Sequence, residues 1–143
     1  MTASAHPHCP LCTDDGGLLL HRNALLRVVR VTDTPAHPAF YRVIVNAHVA
    51  EFSQLASPER ADVMDAVVAV EQVLLRELAP AKVNLASLGN VVPHLHWHVI
   101  ARFADDAQFP APIWAPAVRE RDTTALQDRL PALDAAVRAA LVR

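Results

Sequence analysis

The segment His94-Leu95-His96-Trp97-His98-Val99-Ile100 gathers the residues of this chain best able to do chemistry. In an extended strand successive side chains point to opposite faces. Three histidines spaced by two therefore share one face, and Leu95, Trp97 and Val99 share the other, turned to a core. A helix would scatter the rings around its axis and expose Trp97, so the pattern predicts a strand. Rings on the shared face lie roughly 6.6 Å apart along it, a spacing that lets them converge on a group the size of a phosphate. Imidazole also changes charge near neutral pH, with an ordinary pKa of about 6.5. One neutral ring can attack phosphorus while a protonated neighbour donates to phosphate oxygens. The same row is open to other readings, a surface row of histidines or a metal site built from the three rings.

Cys9-Pro10-Leu11-Cys12 is a thiol pair with zinc-knuckle spacing. Alone it is a weak signal, equally compatible with free thiols on an N-terminal tail. Nothing marks either sulfur as an activated nucleophile. Asp105-Asp106 reads as a solvated acidic turn, with a divalent cation as the less favoured alternative.

The elements that position these groups follow from period and punctuation. Residues 1–16 are loop-like and end in the turn sequence Asp14-Asp15-Gly16-Gly17. Strands are expected at Leu18–Leu20, Leu25–Thr32, Phe40–Asn46, Val83–Leu88 and Leu95–Phe103. The prolines of Asp33-Thr34-Pro35-Ala36-His37-Pro38 separate the second strand from the third. Ser57-Pro58-Glu59 reads as a helix start with Ser57 as the cap. Val63, Met64, Val67, Val70, Leu74 and Leu78 then follow the 3.6 period as a core-facing stripe, which Pro80 ends. A second amphipathic stretch runs from Leu126 to Leu141, with a kink or restart at Pro131. Phe109-Pro110-Ala111-Pro112-Ile113-Trp114 is too proline-rich for a helix and suits closure over a base or a subunit contact. Strands and helices arranged this way predict an α+β fold, an antiparallel sheet packed against helices.

Composition narrows the function class. The 143 residues suit one domain, and 52% apolar with 20% charged residues supplies a core. A net charge of −2 argues against a nucleic-acid duplex, which wants a basic stripe. No apolar run reaches the ~20 residues of a membrane helix. The polar N-terminus does not read as a signal peptide, so a cytoplasmic location is expected. There Cys9 and Cys12 stay reduced. No glycine-rich dinucleotide fingerprint or Walker motif is present, so no redox cofactor is expected.

The run His-apolar-His-apolar-His-apolar-apolar resembles the signature of the histidine triad (HIT) superfamily. The order of elements from residue 18 to about 103 is similar to that superfamily's five-stranded sheet with its crossover helix. Residues 1–16 and 104–143 then extend a single domain over 1–143. The resemblance implies a nucleotide hydrolase or nucleotidyltransferase, acting at an α-phosphate through a nucleotidyl-histidine intermediate on His96. Within the catalytic set of His94, His96 and His98, His98 would bind the scissile phosphate and help protonate the leaving group. Asn84, Gly89, Asn90 and Asp33 fall where the superfamily contacts phosphate and ribose. For these, a strand-end hydrogen bond at Asn84, a plain turn at Gly89 and an Asx turn at Asp33 are the local alternatives. The resemblance also implies a structural zinc on Cys9, Cys12, His48 and His94, a common tetrahedral donor set. His6 and His8 are rival ligands. A homodimer with joined sheets is implied as well. Three departures stand out: Val91 where many members carry Ser or Thr, Pro93 before the triad, and Ala101 where proline is common. Two other readings stay open, a zinc-stabilised nucleotide-binding module with little turnover and a metalloenzyme using the triad as ligands.

Overall fold

A computed structural model describes residues 6–142. Strands β1 (Leu18–Arg22), β2 (Leu26–Arg30), β3 (Phe40–Val45), β4 (Lys82–Ala86) and β5 (His96–Arg102) form one antiparallel sheet in the order β1-β2-β3-β5-β4. Helix α2 (Ser57–Leu78) crosses from β3 to β4, leaving β5 to enter between them. The fold class read from the sequence is the one observed. Strand ends move by one or two residues from the expected limits, since ladders fray where pairing stops.

Three local expectations are corrected. The stretch expected as loop contains a short helix, α1 (Pro10–Thr13), which wraps the knuckle so that Thr13 N–H reaches the Cys9 carbonyl at 3.1 Å. The cap of α2 is Ala56 and not Ser57, because Glu59 reaches back to accept the Ala56 N–H at 2.8 Å. Ser57 sits inside the first turn. Asp106 is not solvated: it is buried and ion-paired with Arg102 at 2.8 Å. The restart near Pro131 is observed, with α3 (Thr124–Asp128) and α4 (Leu130–Leu141) meeting at Arg129. Proline in the first turn of α4 loses no helical hydrogen bond, which makes a restart there inexpensive.

The alternation of the strands divides the molecule. Tyr41, Val43, Val45, Leu95 and Val99 face α2 and α4, whose Val63, Val67, Val70, Leu74, Leu133 and Val137 complete the main core. Met64 and Leu78 pack against it, as the helical stripe requires. The other face carries a smaller cluster of Cys9, Leu11, Val29 and Ile44, and it carries the imidazoles.

One polar knot pins α4 to the sheet. Buried Asp134 accepts from Arg30 Nε at 3.0 Å and from the Tyr41 hydroxyl at 2.9 Å. Removing one member of such a set strands the others without water. Asp134→Ala is therefore expected to cost about 3–5 kcal/mol of stability, read as a lower urea midpoint at unchanged slope. An unchanged midpoint would refute that role.

Candidate active site and metal centre

Registry places the site residues. Across β3 and β5, Ile44 lies opposite His96 and Arg42 opposite His98, so Arg42 shares the imidazole face. His94 falls just before β5, where its ring is fully buried. Its backbone N–H reaches the Val92 carbonyl, at 2.8 Å, instead of a ladder partner. The three rings do not form a simple row: His94 turns to the cysteines, and His96 and His98 meet edge to face at 4.9 Å.

His96 and His94 are linked through one backbone group. The His94 carbonyl lies 2.6 Å from His96 Nδ1, a geometry that requires Nδ1–H to donate and leaves the lone pair on Nε2. Burial, aided by the nearby Arg42 charge, lowers the His96 pKa, so the ring is neutral at pH 7. His98 is held lower still, at about 3, by burial first, then by His96 and Arg42. The protonated neighbour sought in the sequence is thus not His98 in the free protein. The fixed positive charge at the site is Arg42.

The depressed His98 value has a consequence for stability. An unfolded His98 takes up a proton near pH 6.5, while the folded ring resists until about pH 3. The native state is therefore favoured above the unfolded value and loses ground as pH falls between the two. The slope per proton is about 1.4 kcal/mol per pH unit. Denaturant midpoints are expected to fall from pH 7 to pH 4, and His98→Gln to flatten that fall by one proton. Parallel pH profiles for the two proteins would refute the assignment.

His96 and the knuckle loop border a cleft of about 300 Å³ lined by Leu11, Gly16, Asp33, Arg42 and Val92 among others. A larger hollow of about 520 Å³ lies between α2, α4 and the β1–β2 turn, against Asp62, Asp65 and His21, away from the triad. Chemistry favours the smaller one, since it alone holds His96. Gly16 is required there: its φ is +88° and a Cβ would come 2.7 Å from Leu11. Asp33 lines the cleft. Gly89 adopts φ +79° with no crowding, so its requirement is backbone conformation. Asn90 is exposed on the same loop, and Val91 is 93% exposed. Asn84 is differently engaged, its Oδ1 accepting from Arg102 Nη1 at 2.8 Å.

Arg102 anchors the segment beyond β5. It pairs with Asp106 and donates to the Ala111 carbonyl at 2.7 Å, while Asp106 Oδ1 accepts the Phe109 N–H at 2.8 Å. The anchored chain brings half-exposed Trp114 to 5.2 Å from the His98 ring, so the proline-rich segment packs against the triad.

Beside the cleft, Cys9, Cys12, His48 and His94 gather with all four donor atoms within 4.8 Å of one another. Cys12 Sγ lies 3.3 Å from His48 Nδ1 and 3.5 Å from His94 Nδ1. A tetrahedron with zinc-length bonds has edges of about 3.4–3.8 Å, so the set fits that ion. His94 Nε2 lies 2.6 Å from the Val45 carbonyl and donates to it, leaving Nδ1 bare for a metal. His6 is not among the four; it stacks on His48 at 3.7 Å. Arg27 clamps the knuckle from below, donating to the carbonyls of Leu11, Asp14 and Asp15.

The sequence profile of the HIT domain matches residues 22–105. The chain belongs to the HIT domain family. A histidine triad protein of Bradyrhizobium japonicum is similar at 25% identity and a TM-score of 0.73, with 98% of each chain covered. One from Sinorhizobium meliloti 1021 matches at 22% identity and 0.70, covering 88% of this chain and 90% of that one. A zinc-bound histidine triad family protein of Mycobacterium smegmatis shares the fold at 15% identity and 0.58, covering 92% and 88%. No curated protein matches the sequence significantly. No helix among the described residues is long and apolar enough to cross a membrane. In this HIT domain, sequence reasoning missed Arg42, although a lone charge inside Phe40-Tyr41-Arg42-Val43-Ile44-Val45 was a visible signal.

Proposed function

We propose that this single HIT-like domain, residues 1–143, cleaves or transfers a nucleotidyl group at an α-phosphate. The substrate class is a dinucleoside polyphosphate, nucleoside phosphoramidate or nucleotide sugar. The observation that carries the reading is the tautomer of His96: Nδ1–H is tied to the His94 carbonyl at 2.6 Å, and the ring borders the cleft with Nε2 free. Nε2 attacks the α-phosphorus, and the bond to the leaving group breaks with its electron pair going to that group. Water then attacks phosphorus, losing a proton, and the P–N bond breaks to restore neutral His96. His98, neutral in the free protein, takes up a proton from water as the anionic phosphate enters the cleft, binds the scissile phosphate through its ring N–H and hands that proton to the leaving group. Asp33 receives ribose hydroxyls across the cleft, and Gly89 and Asn90 border the phosphate.

Zinc on Cys9, Cys12, His48 and His94 supplies a cross-link, balancing two thiolates and fixing the knuckle wall of the cleft. The proposed assembly is a cytoplasmic homodimer, supported by exposed Leu85 on edge strand β4 and by exposed Val68 and Leu75 on α2. Mixing the protein with an adenosine phosphoramidate, quenching in alkaline denaturant and weighing the intact chain tests the chemistry. An adenylyl adduct mapping to His96 is expected. Turnover with no adduct on any histidine would refute the covalent route.

A further inference from the structure

Four arginines project from the sheet strands into partly or wholly buried surroundings, and three of them hold a carboxylate or several acceptors. Arg27 has three backbone carbonyls and the Asn46 side chain, Arg30 has Asp134, and Arg102 has Asp106, Asn84 and the Ala111 carbonyl. Arg42 differs. Nη1 donates to the Gly16 carbonyl at 3.2 Å, Nε is sealed from solvent with no partner, and among the described residues no carboxylate lies within ion-pair distance. A guanidinium has five N–H donors, and with the Asp33 carboxylate acting on it only from beyond ion-pair distance, an anion is needed to complete the set.

Its position says which anion. Arg42 lies opposite His98 in the ladder and borders the cleft with His96 and Asp33. The Phe40 ring at 5.4 Å flanks the guanidinium. The neighbouring loop, Val91-Val92-Pro93, brings no side-chain donor to the cleft. We propose that Arg42 is the anion-binding residue of this cleft, closing its planar fork on the phosphate oxygens of a nucleoside phosphate. The proposal rests on the nucleotidyl reading above for its choice of ligand, and for its existence on a guanidinium that borders the cleft with one protein acceptor and no ion-paired carboxylate. A planar fork matches two oxygens of a phosphate, which a lysine ammonium cannot do.

The test compares zinc-loaded wild-type protein with Arg42→Gln and Arg42→Lys, titrating adenosine 5′-monophosphate, adenosine and inorganic phosphate. A charge-assisted contact of this kind predicts about 10- to 100-fold weaker monophosphate binding in Arg42→Gln. Adenosine affinity should stay within about twofold, with Arg42→Lys intermediate. Unfolding temperatures without ligand check that both variants fold, and removing an uncompensated charge should leave them level or raised. Equal losses for monophosphate and adenosine, or no loss for either, would overturn the proposal. Wild-type protein that binds phosphate through Arg42 yet no nucleotide would keep the anion site and sink the nucleotidyl reading instead.

Discussion

His96→Ala is expected to remove nucleotidyl transfer altogether, by on the order of 10⁴-fold or more, because no other ring offers a lone pair at the cleft. His98 sits beside it, but its Nδ1 is sealed without a partner. His94 faces away, its Nδ1 toward the cysteines and its Nε2 toward the Val45 carbonyl. The substitution touches neither thiol nor His48, so metal content should remain one zinc per chain. That combination separates a histidine nucleophile from a catalytic ion held by the triad, which would leave with the ring. Steady-state turnover, intact mass and metal analysis on one preparation decide the matter. Loss of zinc together with activity would contradict the assignment.

The second large effect is expected on metal removal. Structural zinc contributes apparent binding energies of about 10–16 kcal/mol in peptides that fold around it. This chain has its own hydrophobic core, so the share felt by the domain is smaller. A drop in unfolding temperature of about 10 °C or more is still expected on chelation or in Cys12→Ser. Activity should fall with it, because the knuckle supplies Leu11 and Gly16 to the cleft and His94 supplies the carbonyl that orients His96. Adding zinc back should restore both in the chelated wild type and neither in Cys12→Ser. A chelated protein with unchanged melting and turnover would remove the metal from the account.

Much of this arrangement was legible in the chain because it depends on local period. Alternation in residues 95–99 fixed which side chains face the core, and the stripe from Val63 to Leu78 fixed the buried side of α2. The donors Cys9, Cys12, His48 and His94 were named through family resemblance, since no local rule joins residues 85 positions apart. The failures share a cause. Asp106 looked solvated because its partner Arg102 is recognisable only once β5 ends in a turn. The partner of Arg42 has no local sign because the loop whose Gly16 carbonyl it meets lies 26 positions away. Asn84 looked like a phosphate contact because nothing local shows that Arg102 reaches across from the adjacent strand. Polar groups choose partners through three dimensions, whereas apolar periodicity is written along one.

The two-sided sheet has a consequence for evolution and redesign. The main hydrophobic core and the imidazoles sit on opposite sides of one layer, and the metal-ligand set lies on the imidazole side, so the ligand face carries its own share of the stability. Repacking α2 against α4 can harden the scaffold without disturbing the imidazoles, whereas the knuckle can change toward new leaving groups only where its metal donors are kept. Heat tolerance can therefore be raised from the helical side with substrate choice unchanged, while changes at the knuckle move both together.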